Sequence, residues 1–208
     1  MEPTITQHLS SNLNNWNKKS PVALLLHGYG SNMRDLPSLM DYLPGLPWVS
    51  LQAPLEAGNG GFAWAPIVAP GNPQKADVEP ATQRIWDWID ANLPGDVPLV
   101  LIGFSQGGLM ATQLLRTRPS RIAATVILAG FTLGAKQPAD EELKRLRPRV
   151  IYCRGLNDQV ISKDAVDRTL AWLVGHTSAL TPSYEGLGHS IDDRVLEDVS
   201  DYIRELLL

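Results

Sequence analysis

Gly103-Phe104-Ser105-Gln106-Gly107 sets a serine between two glycines, each two residues away. The pattern follows an apolar run at residues 99–103 and opens a segment of helical period at 107–116. In such a strand-turn-helix setting, small neighbours permit a tight turn that lifts the serine hydroxyl clear of the chain. A serine can also simply cap a helix, but having both elements in place favours a nucleophile at Ser105. The unpaired amides and positive dipole end of the helix would favour negative charge developing beside it.

A serine hydroxyl is a weak nucleophile at neutral pH and needs a base within reach. Four histidines are available: His8, His27, His176 and His189. Where a strand-turn-helix serine works with a base and an acid, the chain order is serine, acid, histidine, which leaves His176 and His189. His189 is the better placed, in a glycine-flanked loop (Gly186-Leu187-Gly188-His189-Ser190) that follows the last and weakest strand candidate, Ser183-Tyr184-Glu185. His176 remains the rival base, and His27 reads as holding a loop.

The acid must orient the imidazole and stabilise its charged form. Asp158 lies in Arg154-Gly155-Leu156-Asn157-Asp158, directly after the apolar run 149–152 and before a helix. Asp140, Glu141 and Glu142 also lie between Ser105 and His189, but read as the solvated start of a helix, where negative charge is favourable anyway. Asp164 and Asp167 read the same way. A hole for the developing oxyanion needs two amides. The Gln106 amide and the Tyr29 amide in Leu26-His27-Gly28-Tyr29-Gly30 are the candidates.

The positioning elements follow from periodicity. Strands are expected at 22–26, 49–52, 99–103, 125–128, 149–152 and 183–185, and helices at 81–93, 107–116, 140–146, 163–174 and 192–207. That alternation predicts an α/β architecture with a mostly parallel sheet flanked by helices, in a single domain over 1–208. The runs at 22–26, 99–103 and 125–128 are nearly all apolar and belong at the sheet centre. Residues 54–80, rich in Gly, Pro and Asn, read as a wall of the cleft, with Trp64, Phe131 and Val160 as candidate substrate contacts. Only 131–148 separates the fourth strand from the fifth, too little to build a packed lid.

The formal net charge of −4 argues against general attraction to nucleic acid or anionic membranes. The first residues resemble no secretory signal, so the chain is expected to be soluble and cytoplasmic, without stable membrane association. Its single cysteine, Cys153, offers neither a disulfide nor a zinc cluster, and no metal or other cofactor is expected.

Four motifs, Leu26-His27-Gly28-Tyr29-Gly30, Gly103-Phe104-Ser105-Gln106-Gly107-Gly108, Gly155-Leu156-Asn157-Asp158-Gln159-Val160 and Gly188-His189-Ser190, together resemble the phospholipase/carboxylesterase family. The resemblance spans nearly the whole chain. It implies an α/β-hydrolase without a cap domain that cleaves small-molecule esters or thioesters without a cofactor, and it allows a homodimer. Short to medium acyl esters are the expected substrates, with acyl-protein thioesterase or lysophospholipase activity, or ligand binding without catalysis, as alternatives. The family often has Trp-Phe-Asp after its early loop; this chain has Ala63-Trp64-Ala65-Pro66. Dienelactone hydrolases, a further resemblance, place a cysteine at the turn where this chain has Ser105.

Overall fold

Side chains alternate across a strand, and in the apolar runs both faces are buried. Val22, Leu24, Leu26, Leu99 and Leu101 join one core cluster, while Ala23, Leu25, Val100 and Ile102 join another on the opposite face. A strand apolar on both faces is stable only when helices cover both. The computed structural model has that architecture; it describes residues 3–13, 16–17, 19–43, 45–67 and 71–207.

The strands are β1 (His8–Ser10), β2 (Val22–Leu26), β3 (Trp48–Leu51), β4 (Leu55–Glu56), β5 (Phe62–Ala63), β6 (Leu99–Phe104), β7 (Ile122–Leu128), β8 (Arg149–Gly155), β9 (Ser178–Leu180) and β10 (Ser183–Tyr184). The main sheet runs β1-β3-β2-β6-β7-β8-β10, with β9 also pairing with β8. All its pairings are parallel except β1 with β3. The three most apolar strands, β2, β6 and β7, are the central ones, as their two-sided burial requires.

The helices are α1 (Lys75–Asn92), α2 (Gln106–Leu115), α3 (Asp140–Leu146), α4 (Lys163–His176) and α5 (Asp193–Leu207). Residues of α1, α2 and α4 cover one face. The other face receives α5 through Val195, Val199, Tyr202 and Ile203, together with a short 3-10 helix, Pro37–Asp41. Ser162 starts α4, its hydroxyl accepting from the Ala165 amide at 3.3 Å.

Several boundaries differ from those the sequence suggests. Helix α1 begins at Lys75, six residues before the expected 81, and contains Pro80. Pro80 is the sixth residue of this helix and has no N–H to donate to the Ala76 carbonyl, so the helix gives up one ladder bond there. Strand β8 continues through Cys153 to Gly155. Strands β1 and β9 are three residues each, too short to show a period. Inside the loop expected at 54–80, β4 and β5 form an antiparallel ribbon. Between β7 and β8 stands only α3, as the short spacing predicts. Among the described residues, no helix is long and apolar enough to cross a membrane.

Candidate active site

Strands β2, β6 and β8 run parallel, so the loops after them emerge at one edge of the sheet, the edge where ligand sites of open α/β sheets gather. Ser105 sits in the turn between β6 and α2 with φ 53° and ψ −115°, a conformation that costs a non-glycine residue strain. Two neighbours make the turn sterically possible. A Cβ on Gly103 would lie 2.2 Å from the Gly107 carbonyl oxygen, and one on Gly107 would lie 1.8 Å from that of Leu26. The Ser105 amide donates to Leu128 O at 2.9 Å, tying the turn to β7.

Asp158 and His189 come together from loops 31 residues apart in sequence, with 2.7 Å between Asp158 Oδ2 and His189 Nδ1. The other carboxylate oxygen accepts the Val160 and Ile161 amides at 2.8 and 3.1 Å, which locks the side chain's rotation. Backbone bonds hold the two loops in register: Asn157 N donates to Leu187 O, and Leu156 N to Tyr184 O. The side chains are 7% and 17% exposed respectively, so the pair is partly desolvated. The His189 ring leans on Phe104, ring centres 4.9 Å apart, and Phe104 immediately precedes Ser105.

The other histidines are engaged elsewhere. His8 meets the edge of Trp88, and His176 stacks on Trp172 with Nδ1 2.7 Å from the Trp172 carbonyl oxygen of its own helix. His27 is fully buried; its Nε2 accepts the Ala53 amide at 3.2 Å, so Nδ1 carries the proton and donates to Gly28 O at 2.7 Å. Burial holds this imidazole below its ordinary pKa, against the opposing pull of the Gly28 bond. The arrangement turns the Gly28 carbonyl inward, and across a trans peptide the Tyr29 N–H points the opposite way. The loop is further braced by Gly30 N donating to Phe62 O.

Trp64 does not line the cleft. It is 1% exposed, its indole N–H donates to His27 O at 2.8 Å, and its amide donates to Gln106 Oε1 at 2.9 Å. The indole is a brace beneath the early loop, and the expectation of a substrate contact is corrected. Gln106 completes the brace, donating from Nε2 to Ala65 O at 2.6 Å. This role of its side chain is absent from the sequence pattern, which concerns only its amide.

Asp140 also departs from expectation. It is 4% exposed, not solvated, and forms a two-pronged bond with Arg116 through Nε and Nη2, both at 2.8 Å. Burial alone would raise its carboxyl pKa, but the Arg116 bonds, the Gln137 amide and the Trp172 indole hold it below the ordinary value. Glu141 and Glu142 are exposed. Cys153 is buried in β8 and burial pushes its thiol up to about 12, so it is no nucleophile at neutral pH.

A small pocket of about 40 Å³ opens at Ser105. Phe131 and Val160 line it, joined by Ile67, Gly71, Leu109 and Ile161. The 54–80 segment does contribute a wall, through Pro66, Ile67, Gly71 and Pro73.

The family model described as Phospholipase/Carboxylesterase matches residues 13–207. The chain belongs to the phospholipase/carboxylesterase family. Acyl-protein thioesterase 1 homolog 2 of Dictyostelium discoideum is 23% identical over 184 residues, covering 85% of this chain and 82% of that protein. Acyl-protein thioesterase 1 of Debaryomyces hansenii is 24% identical over 190 residues, covering 84% and 79%. The crystal structure of the Bacillus cereus carboxylesterase superposes with a TM-score of 0.80 at 19% identity, covering 96% of this chain and 94% of that one. A member of the phospholipase/carboxylesterase family with this α/β-hydrolase fold is a hydrolase of the esterase or thioesterase type, acting on small-molecule esters or thioesters.

Proposed function

We propose that this hydrolase cleaves short to medium acyl carboxylic esters through an acyl-enzyme on Ser105, with His189 as base and Asp158 as orienting acid. The 2.7 Å approach of His189 Nδ1 to a carboxylate already fixed by two amides carries the reading. Asp158 holds the proton on Nδ1, which leaves Nε2 unprotonated and able to accept.

Ser105 Oγ attacks the ester carbonyl while its proton passes to His189 Nε2. The carbonyl oxygen takes the negative charge, met by the Gln106 and Tyr29 amides. As the tetrahedral centre collapses, the carbon–oxygen bond to the alcohol breaks and the imidazolium returns the proton to the departing oxygen. Water repeats the sequence to release the acid and regenerate Ser105.

A pocket of about 40 Å³ favours short tails. The names of the Dictyostelium and Debaryomyces relatives support a second reading, in which the leaving group is a thiol and the acyl-enzyme is the same. The test is steady-state hydrolysis of p-nitrophenyl esters and matched thioesters by wild type, Ser105→Ala and His189→Ala. Loss of about 10⁶ in turnover without the serine is expected; substantial activity in either variant would overturn the assignment.

A further inference from the structure

The pocket at Ser105 is walled by stretches of chain that are far apart in sequence, and one side chain outside it joins two of them. Arg168, on α4, donates from Nη2 to Gly71 O at 2.5 Å and from Nε to Thr132 O at 3.1 Å. Gly71 lines the pocket itself, and Thr132 directly follows the lining residue Phe131. The Thr132 amide is also held, donating to Thr169 Oγ1 at 2.9 Å on the next residue of the same helix.

A guanidinium presents its donors in a rigid plane, so two carbonyls bound to one such group have a fixed separation. Gly71 is seated tightly against the start of α4. Its φ is +74°, and a Cβ there would lie 3.0 Å from Ala165 Cβ and 3.4 Å from Ser162 Oγ. That wall has no slack toward the helix, and its carbonyl is held there by Arg168. The pocket between these walls is small, about 40 Å³.

We infer that Arg168 is a positioning residue that sets the acyl-length limit, by clamping the Gly71 and Phe131 walls at a spacing that closes the pocket after a few carbons. The inference rests on the reading of Ser105 as nucleophile. Arg168 touches neither the ester nor the triad, and its effect is confined to which tails fit. Burial lowers its guanidinium pKa from the ordinary value, and Asp164 offsets part of that; the charge itself is retained at neutral pH.

The test is the ratio of kcat/KM for p-nitrophenyl octanoate to that for p-nitrophenyl acetate, taken in the same sample so that the folded fraction cancels. Arg168→Met should raise this ratio about tenfold, the low end of what one methylene of fit is worth. The gain should fall on KM for octanoate. Arg168→Lys, which keeps a cation and a donor, should return the ratio toward wild type. An octanoate-to-acetate ratio that stays at the wild-type value or falls in Arg168→Met overturns the inference. Ester hydrolysis that survives Ser105→Ala would instead remove the reading beneath it, whatever the ratio in the Arg168 variants.

Discussion

Two regions of this molecule each bring an aspartate close to a tryptophan or phenylalanine and a histidine, and they do different things with them. In one, Asp158 spends one oxygen on two backbone amides and gives the other to His189, whose ring leans on Phe104. In the other, Asp140 spends both oxygens on Arg116, with the Gln137 amide and Trp172 indole added. His176 stacks on that tryptophan but bonds its own helix carbonyl. Arg116 also donates to Leu133 O and Ala135 O, tying α2 to the segment before α3. Guanidinium stays charged at any working pH, whereas imidazole gains and loses a proton near neutrality. A carboxylate facing the first builds a joint; one facing the second can support proton transfer.

That contrast is broken most sharply by exchanging each carboxylate for its amide. Asp158→Asn should lower kcat on an activated ester by about 10⁴, because the amide supports the wrong tautomer of His189, while thermal unfolding shifts little. Asp140→Asn should do the opposite. Removing one partner of a buried pair costs about 3–5 kcal/mol, a fall in Tm on the order of 10 °C for a chain of this size, with turnover per folded molecule retained. Similar losses of turnover in the two variants would erase the distinction.

A smaller effect sharpens it through pH. The Asp140 carboxyl titrates lower in the folded chain than in the unfolded one. Its contribution is therefore complete above the unfolded value, about 3.9, and is lost as pH falls through the depressed folded value. The stability gap between wild type and Asp140→Asn should be constant above about pH 5 and narrow below about pH 4, measured by denaturant unfolding. A gap that widens on acidification would reverse the sign and contradict the assignment.

The smallest expected effect concerns the brace beneath the early loop. Trp64→Phe removes the indole bond to His27 O and should cost about 1–3 kcal/mol, yet leave the relative rates on short and longer acyl esters unchanged, because the ring lies outside the pocket. A changed acyl-length profile would return Trp64 to the substrate.

Much of the framework is legible in the chain because burial on both faces writes itself as unbroken apolar runs, as at Val22–Leu26. Ser105, Asp158 and His189 stand out because each follows a strand signal in a fixed order. Asp140 is not legible: Asp-Glu-Glu at a helix start looks the same whether its first member faces water or Arg116, 24 residues away. Trp64 gives no sign of which way its ring turns. Arg168 reads as one more charge on a helix, since its two acceptors are carbonyls 97 and 36 residues distant. Side-chain bonds to distant backbone leave no periodic trace.

The central claim is that Ser105 is the nucleophile served by the Asp158 region and not by the Asp140 region. Intact-mass analysis after fluorophosphonate treatment, followed by peptide mapping, tests it directly. Wild type and Asp140→Asn should each take up one adduct, on the peptide containing Ser105, while Asp158→Asn labels far more slowly and Ser105→Ala not at all. An adduct on another residue, or labelling that persists in Ser105→Ala, would contradict the account.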